Sequence, residues 1–169
     1  MTSQNFLESA AKKTSAQLID HLLDQYHARH REHLPQVAEL ARQVEASHAE
    51  HPEVPNGLTQ LLLSMLQELD SHMQKEEMIL FPMLRQGRFA QATGPIHVMQ
   101  LEHREHDASL QRLQATAKNL QLPADACATW TQLYQEVDTF MRELQEHIAL
   151  ENEVLFAART RDAGQEVVE

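Results

Sequence analysis

The chain has 169 residues, a formal net charge of −11, one cysteine (Cys127) and four glycines. That length suits one domain with a sizeable core. The charge excludes non-specific nucleic-acid binding and disfavours anionic membranes, since both need clustered Lys and Arg, and one cysteine excludes an internal disulfide.

Residues 1–15 hold no continuous apolar run, so no signal peptide is expected and the segment reads as flexible. No stretch approaches the ~18–20 apolar residues of a membrane span. A cytoplasmic location is the default expectation. Residues 16–160 then divide into four helix-like segments. The breaks are SHAEHPEVPNG (47–57), RQGRFAQATGP (85–95) and QLPADACA (121–128), which hold most of the Gly and Pro. Pro55, Pro95 and Pro123 stand just before or at helix starts. Pro35 falls inside the first segment and predicts a kink. The tail RDAGQEVVE (161–169) reads as disordered.

Each segment carries an apolar seam with steps of three and four. The first runs Leu23, His27, His30, Leu34, Val37, Ala41, Val44. The second runs Leu58, Leu62, Met65, Leu69, His72, Glu76, Ile79, Met83. The third runs Ile96, Met99, His103, His106, Leu110, Leu113, Ala117, Leu120. The fourth runs Trp130, Leu133, Val137, Phe140, Leu144, His147, Glu151, Val154. The pattern predicts an all-α, up-down-up-down four-helix bundle, with each apolar seam interrupted by polar residues for about one turn.

The interruptions repeat. HMQKEEMILFPML (72–84) and HIALENEVLFAAR (147–159) share H-x-x-x-E-x-x-x-L-F, while the first and third segments share H-x-x-H-x-x-x-L. His27 precedes His72 by 45 residues and His103 precedes His147 by 44, the mark of a duplicated hairpin. A buried carboxylate must be paired or bound to metal. His and Glu at i and i+4 share a helix face. The set His27, His72, Glu76, His103, His147 and Glu151 therefore predicts a dinuclear site, with Glu76 and Glu151 bridging. Without a thiolate it suits iron or manganese.

His30 and His106 read as groups supporting the ligands. Glu68 and Glu143, four residues before the second-helix and fourth-helix His, read as acceptors that orient the rings, or as solvated glutamates. Glu102 is open between the same two roles. His48 lies too far from His27 to join the site, and His21, His33, His51 and His97 read as surface residues. Cys127 at a helix start reads as a small apolar residue. The one E-x-x-H of ferritin type, Glu45 to His48, lies at a helix end.

DHLLDQYHARHREHLPQVAEL (20–40), SHMQKEEMILFPML (71–84), GPIHVMQLEH (94–103), ACATWTQLYQEV (126–137) and EHIALENEVLF (146–156) resemble the hemerythrin-like (HHE) domain of the Repair of Iron Centres family. The resemblance covers about residues 16–160. It implies a non-heme pair of iron ions, oxo- and carboxylate-bridged, on the six residues named above. It implies a role in iron–sulfur cluster repair under nitric oxide and oxidative stress, by binding or reducing NO or by donating iron. The implied partners are NO or O2 and iron–sulfur proteins, with the chain a monomer or homodimer and with no nucleic acid or membrane. Full-length members carry an N-terminal domain with an adjacent cysteine pair. No cysteine precedes the first helix here, so that thiol chemistry would come from a separate protein, or the role is narrower. The alternative is a hemerythrin-like oxygen carrier or sensor. That resembles a five-His arrangement with H-x-x-x-H on the third helix, where this chain has Met99 and Asp107 four residues either side of His103. Whether the chain is an enzyme with turnover is left open.

Overall fold

The structure is a computed structural model that describes residues 3–157. The tail reading for 161–169 lies outside the described residues. No strand occurs among them. The elements are α1 (Ser3–Ala10), α2 (Ser15–Leu22), a π-helical turn (Leu23–His27) and α3 (Ala28–Ser47). Then come α4 (Leu58–Lys75), a second π turn (Glu76–Leu80), α5 (Phe81–Arg85) and α6 (Phe89–Thr116). The last are a 3-10 turn (Lys118–Leu120), α7 (Ala128–Ala149) and a third π turn (Leu150–Phe156). Four long rods result: residues 15–47, 58–85, 89–116 and 128–156. The second half of the first rod, α3, packs on both α4 and α7, and α4 packs on α6.

Local chemistry sets the rod ends. Thr14 caps α2: its Oγ1 accepts from Gln17 N at 3.2 Å, and Gln17 Oε1 accepts from Thr14 N at 3.0 Å. Gly57, at φ 84°, precedes α4 in the left-handed region that glycine tolerates best. Glu45 satisfies the exposed start of α4, accepting from Gly57 N at 2.5 Å and from Thr59 N at 3.1 Å. Glu45 thus closes a turn, and the two members of the ferritin-like pair turn to different partners, Glu45 to the start of α4 and His48 to Cys127. Cys127 caps α7, accepting from Trp130 N at 3.4 Å, and its Sγ lies 3.2 Å from His48 Nε2. His48 is thereby held at the bundle end, away from the polar layer. The His48 contact, with the Trp130 N–H, lowers the Cys127 thiol pKa.

Several expectations change. Residues 3–10, within the segment read as flexible, are helical, and Ala10 is buried. The α3 helix continues through Pro35, whose ring is exposed; the irregular turn of this rod lies upstream, at Leu23–His27. The third rod starts at Phe89 rather than near Pro95. Gly87, at φ 70°, ends the preceding helix, and the helix-favouring run after Arg88 starts the next, burying Ala92.

The apolar core is two clusters. One holds Leu34, Val37, Leu62, Leu69, Leu113, Trp130, Val137 and Phe140 with their neighbours. The other holds Leu18, Ile19, Leu22, Phe81, Leu84, Ile96, Leu155 and Phe156 with theirs. Each buried Leu or Phe contributes about 1.5–3 kcal/mol. Along every rod the polar residues of the seam fall between the two.

The π turns shift the seam. A π turn accommodates one more residue than an α turn, so everything beyond it rotates. Beyond Glu76 the inward residues are Leu80, Phe81 and Leu84; Ile79 is exposed and Met83 only partly buried. Beyond Glu151 they are Leu155 and Phe156 rather than Val154, and before His27 they are Leu22 and Tyr26 rather than Leu23.

Deleting Met78, which is 76% exposed, restores α register across the second π turn and keeps Leu80, Phe81 and Leu84 inward. The expected outcome is an intact helical circular dichroism spectrum and a melting temperature within about 5 °C of the parent, with metal affinity reduced. An unfolded variant would show that the extra residue serves folding rather than the site.

Candidate metal centre

Six side chains from four rods meet between the clusters, each at most 1% exposed: His27, His72, Glu76, His103, His147 and Glu151. Three of the rods bring them in at a π turn. His27 ends the first such turn, Glu76 opens the second and Glu151 stands in the third. The six form two overlapping groups, His27–Glu76–His147–Glu151 and His72–Glu76–His103–Glu151, with ligand atoms in each within 4.8 Å of one another. Both carboxylates belong to both groups.

The atoms that converge are Nε2 and carboxylate oxygens. His27 Nε2 lies 3.4 Å from Glu76 Oε2 and 3.9 Å from Glu151 Oε1. His72 Nε2 lies 3.5 Å from Glu76 Oε1. His103 Nε2 lies 3.0 Å from Glu151 Oε2, and His147 Nε2 lies 3.1 Å from Glu151 Oε1. The Nε2 atoms of His72 and His103 are 3.1 Å apart. Both oxygens of Glu76 and Nε2 of His27 are buried without a hydrogen-bond partner. Buried carboxylate oxygens facing convergent imidazoles are the donor set of a cation, and the mixed N and O donors with no thiolate suit iron or manganese.

Outer groups aim three of the rings. His27 Nδ1 donates to Glu77 Oε1 at 2.8 Å, His72 Nδ1 to Glu102 Oε2 at 2.8 Å and His103 Nδ1 to Asn152 Oδ1 at 2.9 Å. A proton on Nδ1 leaves the Nε2 lone pair pointing inward. Arg31 holds Glu77 at 2.7 Å, and Lys75 holds Glu102. His147 has no such partner, since its Nδ1 is buried and unpaired.

Glu102 is thus the acceptor that the sequence left open. Glu68 and Glu143 are not: Glu68 is exposed and accepts from Ser64 Oγ at 3.0 Å, and Glu143 binds Arg29 at 2.7 Å. Each stands on the same helix as its His, whereas the Nδ1 of His72 faces the neighbouring rod and that of His147 faces neither carboxylate. Glu77 and Asn152 escaped the sequence reading. The signal was available: each directly follows a proposed bridging Glu.

His30 and His106 are buried, and Nε2 of both, with Nδ1 of His30, lacks a partner. The His30 ring stacks on His147 at 5.3 Å, and His106 meets His72 edge-on at 5.0 Å. They support the rings of His147 and His72 by packing. Burial, then His147, pushes His30 down to about 2; burial, then His72, pushes His106 down to about 3. Of the four histidines read as surface residues, His97 is exposed, while His33 binds Glu136 at 2.8 Å and His51 meets Asp125 at 3.3 Å. His21 packs edge-on to Tyr26 at 5.8 Å.

Without metal the site is charged by protons. Burial works against protonating His27, but Glu151 and Glu76 outweigh it and raise the ring to about 10. His72 is raised in the same way, mainly by Glu76, to about 9, and His103 is raised by Glu151. Burial opposes ionisation of Glu151, yet His147, His103 and His27 hold it well below the usual carboxylate range.

Two outcomes follow. His27 and His72 are protonated in the folded metal-free chain at pH 7, so metal loading releases protons, measurable with an indicator dye in weak buffer. Their folded pKa values exceed the ordinary 6.5, so their contribution to stability is full below pH 6.5 and is lost as pH rises through about 9 and 10. Thermal melting should show the metal-free chain weakening across that window. Separately, Glu102→Gln and Glu77→Gln should lower metal affinity about 10–100-fold in chelator competition, whereas Glu68→Gln should leave it within about twofold.

The geometry agrees with the relatives. Residues 18–158 match the family model described as the hemerythrin HHE cation binding domain. The chain is 48% identical over 141 residues to the iron-sulfur cluster repair protein YtfE of Escherichia coli (strain SMS-3-5 / SECEC) and to that of Escherichia fergusonii. Each match covers 83% of this chain and 64% of the relative, so the chain spans less than two thirds of their length. A cation-binding family model thus covers the rods on which all six buried ligand-type side chains lie, and the chain belongs to the hemerythrin HHE cation binding domain family.

Proposed function

We propose that the chain is a non-heme di-iron protein of iron–sulfur cluster repair, working in the cytoplasm with iron–sulfur proteins as partners. One observation carries this reading: two overlapping His2Glu2 groups share both carboxylates. Ligands common to two groups fit two ions held side by side. Relatives named for iron–sulfur cluster repair support the biological role.

In this reading His27 and His147 would hold one ion, His72 and His103 would hold the other, and Glu76 and Glu151, common to both groups, would serve both. Iron there would supply redox and Lewis-acid chemistry and places for a diatomic ligand such as NO. The chain's own part is to aim the Nε2 lone pairs, to lose protons as metal enters, and to exclude water with the two apolar clusters. The same residues suit iron donation, since protons can return to His27 and His72 as an ion leaves. The oxygen-carrier alternative lacks its fifth ligand: Met99 is buried in an apolar cluster and Asp107 is exposed.

The test is elemental analysis of protein purified from iron-replete cells, followed by anaerobic transfer to a metal-free iron–sulfur acceptor supplied with inorganic sulfide. The expected result is two irons per chain and a rebuilt cluster, with both lost in Glu76→Leu. One zinc, no metal, or full transfer by Glu76→Leu would overturn the reading.

A further inference from the structure

The two halves of the centre follow one plan, and the plan fails at a single ring. The residue after each proposed bridging Glu anchors the first His of its own hairpin: Glu77 holds His27, and Asn152 holds His103. The residue before His103 is Glu102, which anchors His72, the second His of the other hairpin. By the same plan, the residue before His27 should anchor His147. That residue is Tyr26. Its ring stacks on His147 at 5.5 Å with an interplanar angle of 27°, and its hydroxyl lies 3.5 Å from Glu146 Oε2. Tyr26 thus occupies the acceptor's position and faces the imidazole with carbon. His30 stacks against the same ring, and His147 Nδ1 stays unpaired.

An imidazole that donates to an acceptor is the stronger metal ligand, and losing the acceptor typically costs 10–100-fold in affinity. Each group has one ring held by a carboxylate, Glu102 on His72 and Glu77 on His27; the His72–His103 group has a second anchored ring, His103 on Asn152, where the His27–His147 group has none. We propose that the two metal positions are unequal by construction, with Tyr26 making the ion at His27 and His147 the exchangeable one and Glu102 making the ion at His72 and His103 the retained one. The inference rests on the di-iron reading and assigns its donation step to one position. Tyr26 acts as a positioning residue through His147; it supplies no ligand atom.

The experiment loads the full chain anaerobically with ferrous ion and follows release to a colour-forming ferrous chelator in excess. The parent should release two ions in two phases of equal amplitude, with rates about 10–100-fold apart. His147→Gln should lose the fast ion and keep the slow one, and His103→Gln should do the reverse. Tyr26→Glu installs the missing acceptor and should bring the fast phase towards the slow one. Should Tyr26→Glu fail to fold by circular dichroism, the His147→Gln and His103→Gln pair decides. Two ions leaving in one phase would overturn the inference and leave the di-iron reading intact. So would a fast phase that survives His147→Gln, or one unchanged in a folded Tyr26→Glu that holds two ions. Fewer than two ions in the parent would overturn both.

Discussion

Two carboxylates sit at the centre of this bundle with no exposed surface, and the rest of the molecule is arranged around them. An ionised carboxylate taken out of water costs several kcal/mol unless something positive meets it. Glu76 and Glu151 meet four imidazoles. In the metal-free chain, protons on His27 and His72 supply the compensating charge. The same atoms are those that a cation would use, so proton and metal compete for one place. Folding and metal binding are therefore linked through that layer, and the apolar clusters on either side set the stakes by keeping water out.

Each potential metal position draws one His from each hairpin: His27 with His147, and His72 with His103. Neither hairpin could close a group alone. The polar layer thus ties the halves together where the apolar seams are interrupted. The π turns belong to the same arrangement. Three of the four rods carry one at or beside one of the six converging residues, and each rotates the seam beyond it. The fourth rod brings His103 in on regular α6.

Much of this was legible in the sequence, because the strongest signals were local. A polar residue recurring on an apolar seam at matched positions has few explanations; of the eight so marked, six converge, and His30 and His106 pack beside them. What was not legible depended on geometry that spacing does not carry. A regular period places Ile79, Met83 and Val154 inward, and no residue type announces the extra one that turns Leu80 and Phe81 in instead. Ring orientation was equally hidden. Glu68 and Glu143 have helix-face spacing to a His, yet neither meets a ring nitrogen. Glu102 does so from a neighbouring rod, and so adjacency across the bundle decided what adjacency along the helix suggested wrongly. Glu77 anchors a histidine fifty residues away, a relation that only the folded chain displays.

In the di-iron reading proposed above, a site that both closes a bundle and gives up metal would face a conflict. Removing both ions together would leave two buried carboxylates to be neutralised by protons alone, in the layer that joins the hairpins. A symmetric duplication would make the two ions leave with equal ease. Placing Tyr26 where the repeat places Glu102 would break that equality with one side chain, without changing any of the six residues and without opening the core, since Tyr26 is itself buried in the apolar cluster. The retained position can then keep His72, His103 and both carboxylates charge-compensated while the other exchanges. In the proposed arrangement the repeated hairpin would supply the cage, and the departure from it would supply the direction in which metal moves.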